Sequence, residues 1–130
     1  MSIEVLEIIK DAMKEMHLPY AFMEYTAEEN SLPDTYFVGE YQEMDPLNED
    51  GEEDTVFILT GFSREKWIQL EEAKKKIKKY FPKSTGKMAA TDSNTVAAIF
   101  YSNSLPIPLE NDELKKIQIN LTVKEWKVEE

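Results

Sequence analysis

The fold of this chain is decided by residues 55–82, which read TVFILTGFSREKWIQLEEAKKKIKKYFP. The apolar run at 56–59 is rich in β-formers and predicts a strand buried on both faces. Gly61 then loosens the backbone, and Ser63 stands where a helix N-cap belongs. Apolar residues recur at steps of three or four after it, which predicts an amphipathic helix that Pro82 ends. They are Trp67, Leu70, Ala73, Ile77 and Phe81.

The other segments divide into one helix and several strands. A second amphipathic helix is predicted over 3–16, capped by Ser2. Its apolar stripe comprises Ile3, Leu6, Ile9, Met13 and Met16, and Val5 and Ile8 widen it. Strands are predicted at 20–25, 35–43, 95–102 and 115–126. Small residues indicate a loop at 83–94, and two prolines make 103–112 an extended connector or an irregular edge.

The last strand has the clearest alternation in the chain. Ile117, Ile119, Leu121 and Val123 point one way, while polar residues between them point the other. Glu125 interrupts the apolar positions, and Trp126 falls on the opposite side. We expect either a bulge near Lys124 or a tail whose apolar side turns to a second surface.

Helices and strands segregate along the chain, which is typical of the α+β class. We expect a mixed or mostly antiparallel sheet of about five strands, with two helices packed on one face. No internal repeat and no linker divides the sequence. Residues 1–130 are therefore predicted to form a single domain.

The charge is high and unevenly distributed. The 130 residues carry a formal net charge of -11, which disfavours binding to nucleic acid or to an anionic membrane. No window approaches the roughly 20 apolar residues that span a bilayer, and no signal peptide is expected. Residues 63–87 hold nine bases and three acids, a net of +6, so the remainder carries -17. This polarity favours head-to-tail self-association or docking of a basic helix on an acidic partner. The alternative is that the basic segment is a solvated helix face, whose cations lie near the C-terminal end where the helix dipole favours them.

Candidate chemistry is sparse. The chain has no Cys, and its single His, His17, is expected to lie at a helix end near the dipole rather than bind a metal. Residues 45–54 hold six acids, so a calcium loop has to be considered. Aligning Gly51 with the invariant glycine puts Pro46 at the first ligand and Phe57 at the bidentate one, so the motif fails. No catalytic, metal or cofactor site is predicted, and 45–54 is interpreted as a hairpin tip.

The order of segments resembles the tail terminator and tail-completion proteins of long-tailed bacteriophages. The resemblance covers SIEVLEIIKDAMKEM, PYAFMEY with TYFVGEYQ, VFILTGFSREKWIQLEEAKKKIKKYF, AIFYSNSLPIPLE and IQINLTVKEW. It implies a protein without enzymatic activity or cofactor that forms rings, typically hexamers. Such a ring caps the tail tube and contacts the tail-tube protein and the head-side connector. The implied location is the tail or neck of the virion, and the bacterial host cytoplasm during assembly.

Three classes of function follow. The first is this structural assembly role, with interface residues Lys74, Lys75, Lys76, Lys78, Lys79, Asp50, Glu52, Glu53 and Trp126. The second is a monomeric acidic inhibitor or adaptor that binds a basic partner. The third is an enzyme using a carboxylate pair such as Glu24 with Glu40, which requires a spacing of roughly 5–9 Å. We do not expect an enzyme, because chance pairs are common in so acidic a chain.

Overall fold

Two helices and six strands make up the fold, as expected for the α+β class. The computed structural model describes residues 1–26, 32–43, 52–91, 94–110 and 113–127. The elements are α1 (Ile3–Glu15), β1 (Tyr20–Phe22), β2 (Thr35–Glu43), β3 (Glu53–Ser63), α2 (Trp67–Tyr80), β4 (Lys87–Ala90), β5 (Thr95–Ile107) and β6 (Lys115–Lys127). They form one sheet of order β1-β2-β3-β6-β5-β4. β1 runs parallel to β2, and every other neighbouring pair is antiparallel.

Both helices contribute to the same core on one face of this sheet. The buried positions of β3 and β6 alternate with half-buried ones, as a sheet covered on one side requires. The principal core side chains are Val5, Ile9, Met13, Phe37, Phe57, Leu59, Leu70, Ile77, Phe81, Ile99, Ile117, Ile119, Leu121 and Val123. β3 is therefore buried mainly on its helix side, and the prediction of burial on both faces is wrong.

The sixth strand, β4, lies in the segment that we expected to be a loop. Its four residues pair antiparallel with β5, from Lys87 opposite Ile99 to Ala90 opposite Val96. Gly86 introduces it at a φ of +69°, where a Cβ atom would lie 2.5 Å from the Phe100 ring. Only glycine fits both that backbone and that contact. Antiparallel pairing with the next strand in the chain makes this segment extended, although its composition does not indicate a strand.

Helix α1 has the predicted start and, apart from Ile3, most of the predicted apolar face. The Ser2 hydroxyl accepts a hydrogen bond from the Val5 amide at 3.3 Å, which confirms the cap. Ile3, however, is 75% exposed, because the sheet lies against Val5, Ile9, Ala12 and Met13 instead.

The C-terminal end of α1 closes in a Schellman motif. The Leu18 amide donates to the Met13 carbonyl, and the His17 amide donates to the Lys14 carbonyl, both at 3.0 Å. His17 is exposed at the helix end and takes the left-handed position of the motif, with a φ of 57°.

The junction between β3 and α2 differs from the prediction. Ser63 is the last residue of β3, fully buried and paired with Thr35 and Lys115. Its hydroxyl hydrogen-bonds the Thr35 hydroxyl at 3.0 Å and accepts from the Glu65 amide at 3.1 Å. The N-cap of α2 is instead Lys66, whose side chain makes no capping bond. Sheet pairing therefore extends the strand beyond 56–59 and moves the helix start.

Strands β5 and β6 pair along almost their whole lengths. Residues 103–107 continue β5 after one register shift between Tyr101 and Asn103, and they pair with β6 but lie beyond the residues that pair with β4. Of the two predicted alternatives, the irregular edge is therefore confirmed and the extended connector is wrong. The bulge expected near Lys124 is wrong, because β6 pairs with both neighbours there without a shift. Glu125 takes the core side, 6% exposed, and accepts a hydrogen bond from the Ser2 amide at 3.0 Å. Trp126 consequently lies on the other face.

Candidate interaction surfaces

The lysines of α2 fall into two groups. Lys74 pairs with Glu71 at 2.6 Å, and Lys76 donates to the Met16 carbonyl at 3.4 Å. The Lys78 ammonium lies 5.1 Å from the centre of the Tyr101 ring, a cation–π contact. These three side chains are thus engaged within the chain.

Lys75 and Lys79 form the second group. Both are exposed, and in the described parts of the chain neither forms an ion pair. They lie one helical turn apart and so present two positive charges on the same side of α2. We call them the lysine pair.

The predicted acidic surface is partly engaged within the chain. The Met1 amino group pairs with Glu53 at 2.6 Å and also with Glu43. Burial lowers the pKa of this amino group, but its hydrogen bonds to the two carboxylates outweigh burial and raise it. The hydrogen bond from the amino group lowers the pKa of Glu43. Glu52 lies just before β3, whereas Asp50 lies outside the described residues, as does most of the predicted tip.

The face of the sheet opposite the helices is half-buried and mixed in character. Tyr25, Tyr36 and Phe62 form a run of rings with successive centroids 5.2 Å apart, and the Lys116 ammonium lies 5.8 Å from the Phe62 centroid. Trp126 is half-buried on the same face, in register with Val96.

Amide side chains form two hydrogen bonds on that face, one between β6 and β5 and one within β6. The Asn120 amide donates to Asn103 at 2.6 Å, and the Gln118 amide donates to Asn120 at 3.0 Å. These hydrogen bonds satisfy side-chain amides in the middle of this face.

Two exposed apolar patches were not recognised from the sequence. The first, which we call the edge patch, comprises Phe22, Met23 and Tyr41 at the β1 side of the sheet, 39%, 61% and 38% exposed. The high aromatic content of this region predicted strands. It did not predict that β1 ends at Phe22 and leaves these three side chains uncovered. Phe22 is opposite Gly39, so Tyr41 extends beyond the last paired residue of β1.

The second patch lies at the start of α2, and we call it the junction patch. It consists of residues 64–68, all exposed. Trp67 and Ile68 are 39% and 55% exposed, and Arg64 and Lys66 add positive charge against the single acid Glu65. Trp67 was expected to face the core, but the later start of α2 places it in the first turn, beside solvent.

The carboxylate pair considered for an enzyme, Glu24 with Glu40, lies at the surface. Glu24 and Glu40 are both exposed, whereas a carboxylate pair in acid–base catalysis usually works in a cleft that excludes water. Among the described residues no group of three or more His, Asp or Glu side chains could hold a metal ion. Neither described helix is long and apolar enough to cross a membrane.

No protein-family model and no curated protein sequence matches this chain.

Proposed function

We propose that this protein is a structural assembly protein of a phage or prophage, which forms a ring, caps the tail tube and helps to join the tail to the head. It acts through protein–protein contacts and not through catalysis. Its partners in this proposal are further copies of itself, the tail-tube protein and the head-side connector protein. Its place is the tail or neck of the virion, and the host cytoplasm during assembly.

One observation carries the proposal: the lysine pair is exposed on α2 without an ion pair in the described residues, in a chain of net charge -11. An exposed positive surface on an acidic protein attracts another copy, because each copy offers both signs of charge. Opposite charges on different surfaces favour head-to-tail contacts, which close into rings when the rotation permits. The order of helices and strands along the sequence, which resembles that of tail terminator proteins, also supports the proposal.

Native mass in solution tests the proposal. Light scattering behind a sizing column should detect a species of about 90 kDa, six times the 15.1 kDa protomer, either alone or after tail-tube protein is added. High salt should weaken it, because exposed charges are screened beyond about 10 Å at 0.1 M salt. A strict monomer at every concentration, indifferent to tail-tube protein, would contradict the proposal.

Charge reversal tests the role of the lysine pair. The double variant Lys75→Glu, Lys79→Glu should weaken assembly. Lys10→Glu, Lys14→Glu is the matched control, since both lysines are exposed, lie on α1 and change the net charge by the same amount. Equal assembly by the two variants would exclude the α2 contact while leaving ring formation intact.

The alternative is a monomeric acidic inhibitor or adaptor. The observation favouring it is the same net charge of -11, which suits a basic partner. A stable monomer that binds such a partner tightly, with affinity falling as salt rises, would favour this class over the assembly role.

A further inference from the structure

Three carboxylates from adjacent strands meet at the N-terminal end of α1. Glu43 is the last residue of β2 and Glu53 is the first residue of β3. The Met1 amino group donates to both carboxylates, at 2.6 Å to that of Glu53. Glu125 of β6 lies directly opposite Glu53, and its carboxylate accepts from the Ser2 amide at 3.0 Å. The first two residues of the chain are therefore held by acids from β2, β3 and β6.

A buried hydroxyl lies among these carboxylates. Thr55 is 1% exposed, and its Oγ1 atom has no hydrogen-bond partner in the described part of the chain. Thr55 pairs directly with Glu43, and it shares the helix side of β3 with Glu53, two residues earlier. Buried polar atoms in folded proteins almost always have a partner, so this hydroxyl points to a polar ligand within its reach. Together these groups are called the carboxylate site, which consists of Glu43, Glu53, Glu125 and Thr55.

The chemistry of the carboxylate site favours an ammonium group as its ligand. Acidic side chains that lie close together on neighbouring strands repel each other unless a cation separates them. Both ion pairs that these carboxylates form in the described residues come from the Met1 amino group. An ammonium group has three N–H donors, which suffice for two carboxylates and one further oxygen. The described acids are not arranged to hold a metal ion.

We propose that the carboxylate site binds a primary ammonium group and that its ligand is the amino group of Met1. The Met1 side chain packs against the core, which fixes the direction from which the amino group enters. An acyl group or further residues on this nitrogen would remove its charge and leave the carboxylates facing one another. The state of the amino group thus controls how firmly the ends of β2 and β3 are tied to α1. This inference concerns the protomer and does not depend on the assembly role.

Amine reactivity tests the site in the folded protein. Trace labelling with an N-hydroxysuccinimide ester at about pH 7.5 lies close to the ordinary pKa of an α-amino group. Peptide mass spectrometry then gives the labelling rate of Met1 relative to that of Lys75, which is exposed in the same molecule. The double variant Glu43→Gln, Glu53→Gln should raise this relative rate about two- to fivefold, the range that exposed ion pairs are worth.

A matched control separates the site from the general loss of negative charge. The double variant Glu24→Gln, Glu40→Gln removes two exposed carboxylates and changes the net charge by the same amount. It should leave the relative labelling rate of Met1 unchanged. Equal rates from the two double variants would overturn the proposal.

Blocking the amino group gives a second test. Protein whose first residue is Met1, as verified by intact mass, is compared with protein that carries a Gly-Ser-Gly segment ahead of Met1. With the free amino group, Glu43→Gln, Glu53→Gln should raise the equilibrium constant for unfolding in urea about two- to fivefold. With the extension, the same change relieves repulsion and should carry no cost. An equal cost in both forms would overturn the proposal, and the labelling test holds even if the extended form does not fold.

Discussion

Replacing Gly61 by alanine tests how tightly the centre of the sheet is packed. Gly61 lies within β3, between β2 and β6, and faces the helix side of the sheet. A Cβ atom there would lie 2.5 Å and 2.9 Å from two carbons of the Phe37 ring and 3.0 Å from a methyl of Ile117. Both neighbours are fully buried. The glycine therefore provides space for a ring, and does not loosen the chain ahead of a helix.

The expected cost follows from those distances. Carbon atoms pack best at about 3.5–4.0 Å, so the Phe37 ring would have to retreat by about 1 Å into a filled core. Overpacking of this kind costs about 1–3 kcal/mol. The alanine also restricts the unfolded chain, which offsets about 0.4–1 kcal/mol. We expect Gly61→Ala to lower the free energy of unfolding by about 1–2 kcal/mol.

Urea denaturation followed by tryptophan fluorescence measures this difference. With a slope of about 2 kcal/mol per molar urea, the midpoint should fall by roughly 0.5–1 M. Phe37→Leu provides the internal control, because leucine lacks the ring atoms that the new methyl would meet. In that background Gly61→Ala should cost at least about 1 kcal/mol less, a coupling expected of residues in contact. An alanine variant as stable as the parent, or an equal cost in both backgrounds, would refute the packing argument.

Three smaller perturbations concern named hydrogen bonds and one backbone angle. His17→Gly should raise the free energy of unfolding by about 1 kcal/mol in the same urea assay, because glycine adopts a φ of 57° without strain; no gain would argue against strain there. The hydrogen bond to the Glu15 carboxylate, with burial, raises the pKa of Tyr80 to about 12. The stabilisation that this hydrogen bond gives the fold should be complete below pH 10 and lost as the pH rises toward 12. Glu15→Gln should lower the pH at which the absorbance of the Tyr80 tyrosinate appears. Ser63→Ala leaves the Thr35 hydroxyl without this partner and should cost about 1–2 kcal/mol, a fall in melting temperature of roughly 3–8 °C; an unchanged melting temperature would contradict it.

The two helices and the last strand could be predicted because their signals are local. Ser2 caps α1, and the alternation from Ile117 to Val123 matches the buried face of β6. In each case the periodicity reflects one continuous surface against the core. The α+β class followed from the order of these segments, and the structure agrees, with six strands where about five were expected.

The errors arose where a partner outside the segment decides the local conformation. Ser63 resembles a helix cap, yet pairing with Thr35 and Lys115 keeps it in the strand. Residues 87–90 have no strand pattern of their own, yet β5 offers them an edge. Glu125 breaks the apolar pattern of β6 without a bulge, because the Ser2 amide satisfies its carboxylate on the core side.

The candidate surfaces also differ in how far the sequence reveals them. Composition alone located the basic segment and its five lysines, since charge is a property of the sequence. Composition could not show which of these lysines remain available for a partner. Lys76 and Lys78 are engaged by Met16 and Tyr101, which come from other parts of the chain. The edge patch has no local signature at all, because its exposure depends on where the parallel pairing of β1 with β2 ends.

The sequence by itself therefore determined the two helices, the alternation of β6, the class of the fold and the uneven charge. These properties depend on the spacing of residues within one segment, where the periods of 3.6 and 2 act directly. Only the tertiary structure decided the sheet order, the length of β3, which α2 lysines are engaged within the chain, and the exposure of Phe22, Met23 and Tyr41. Each of these depends on contacts between residues far apart in the chain, which no local pattern encodes.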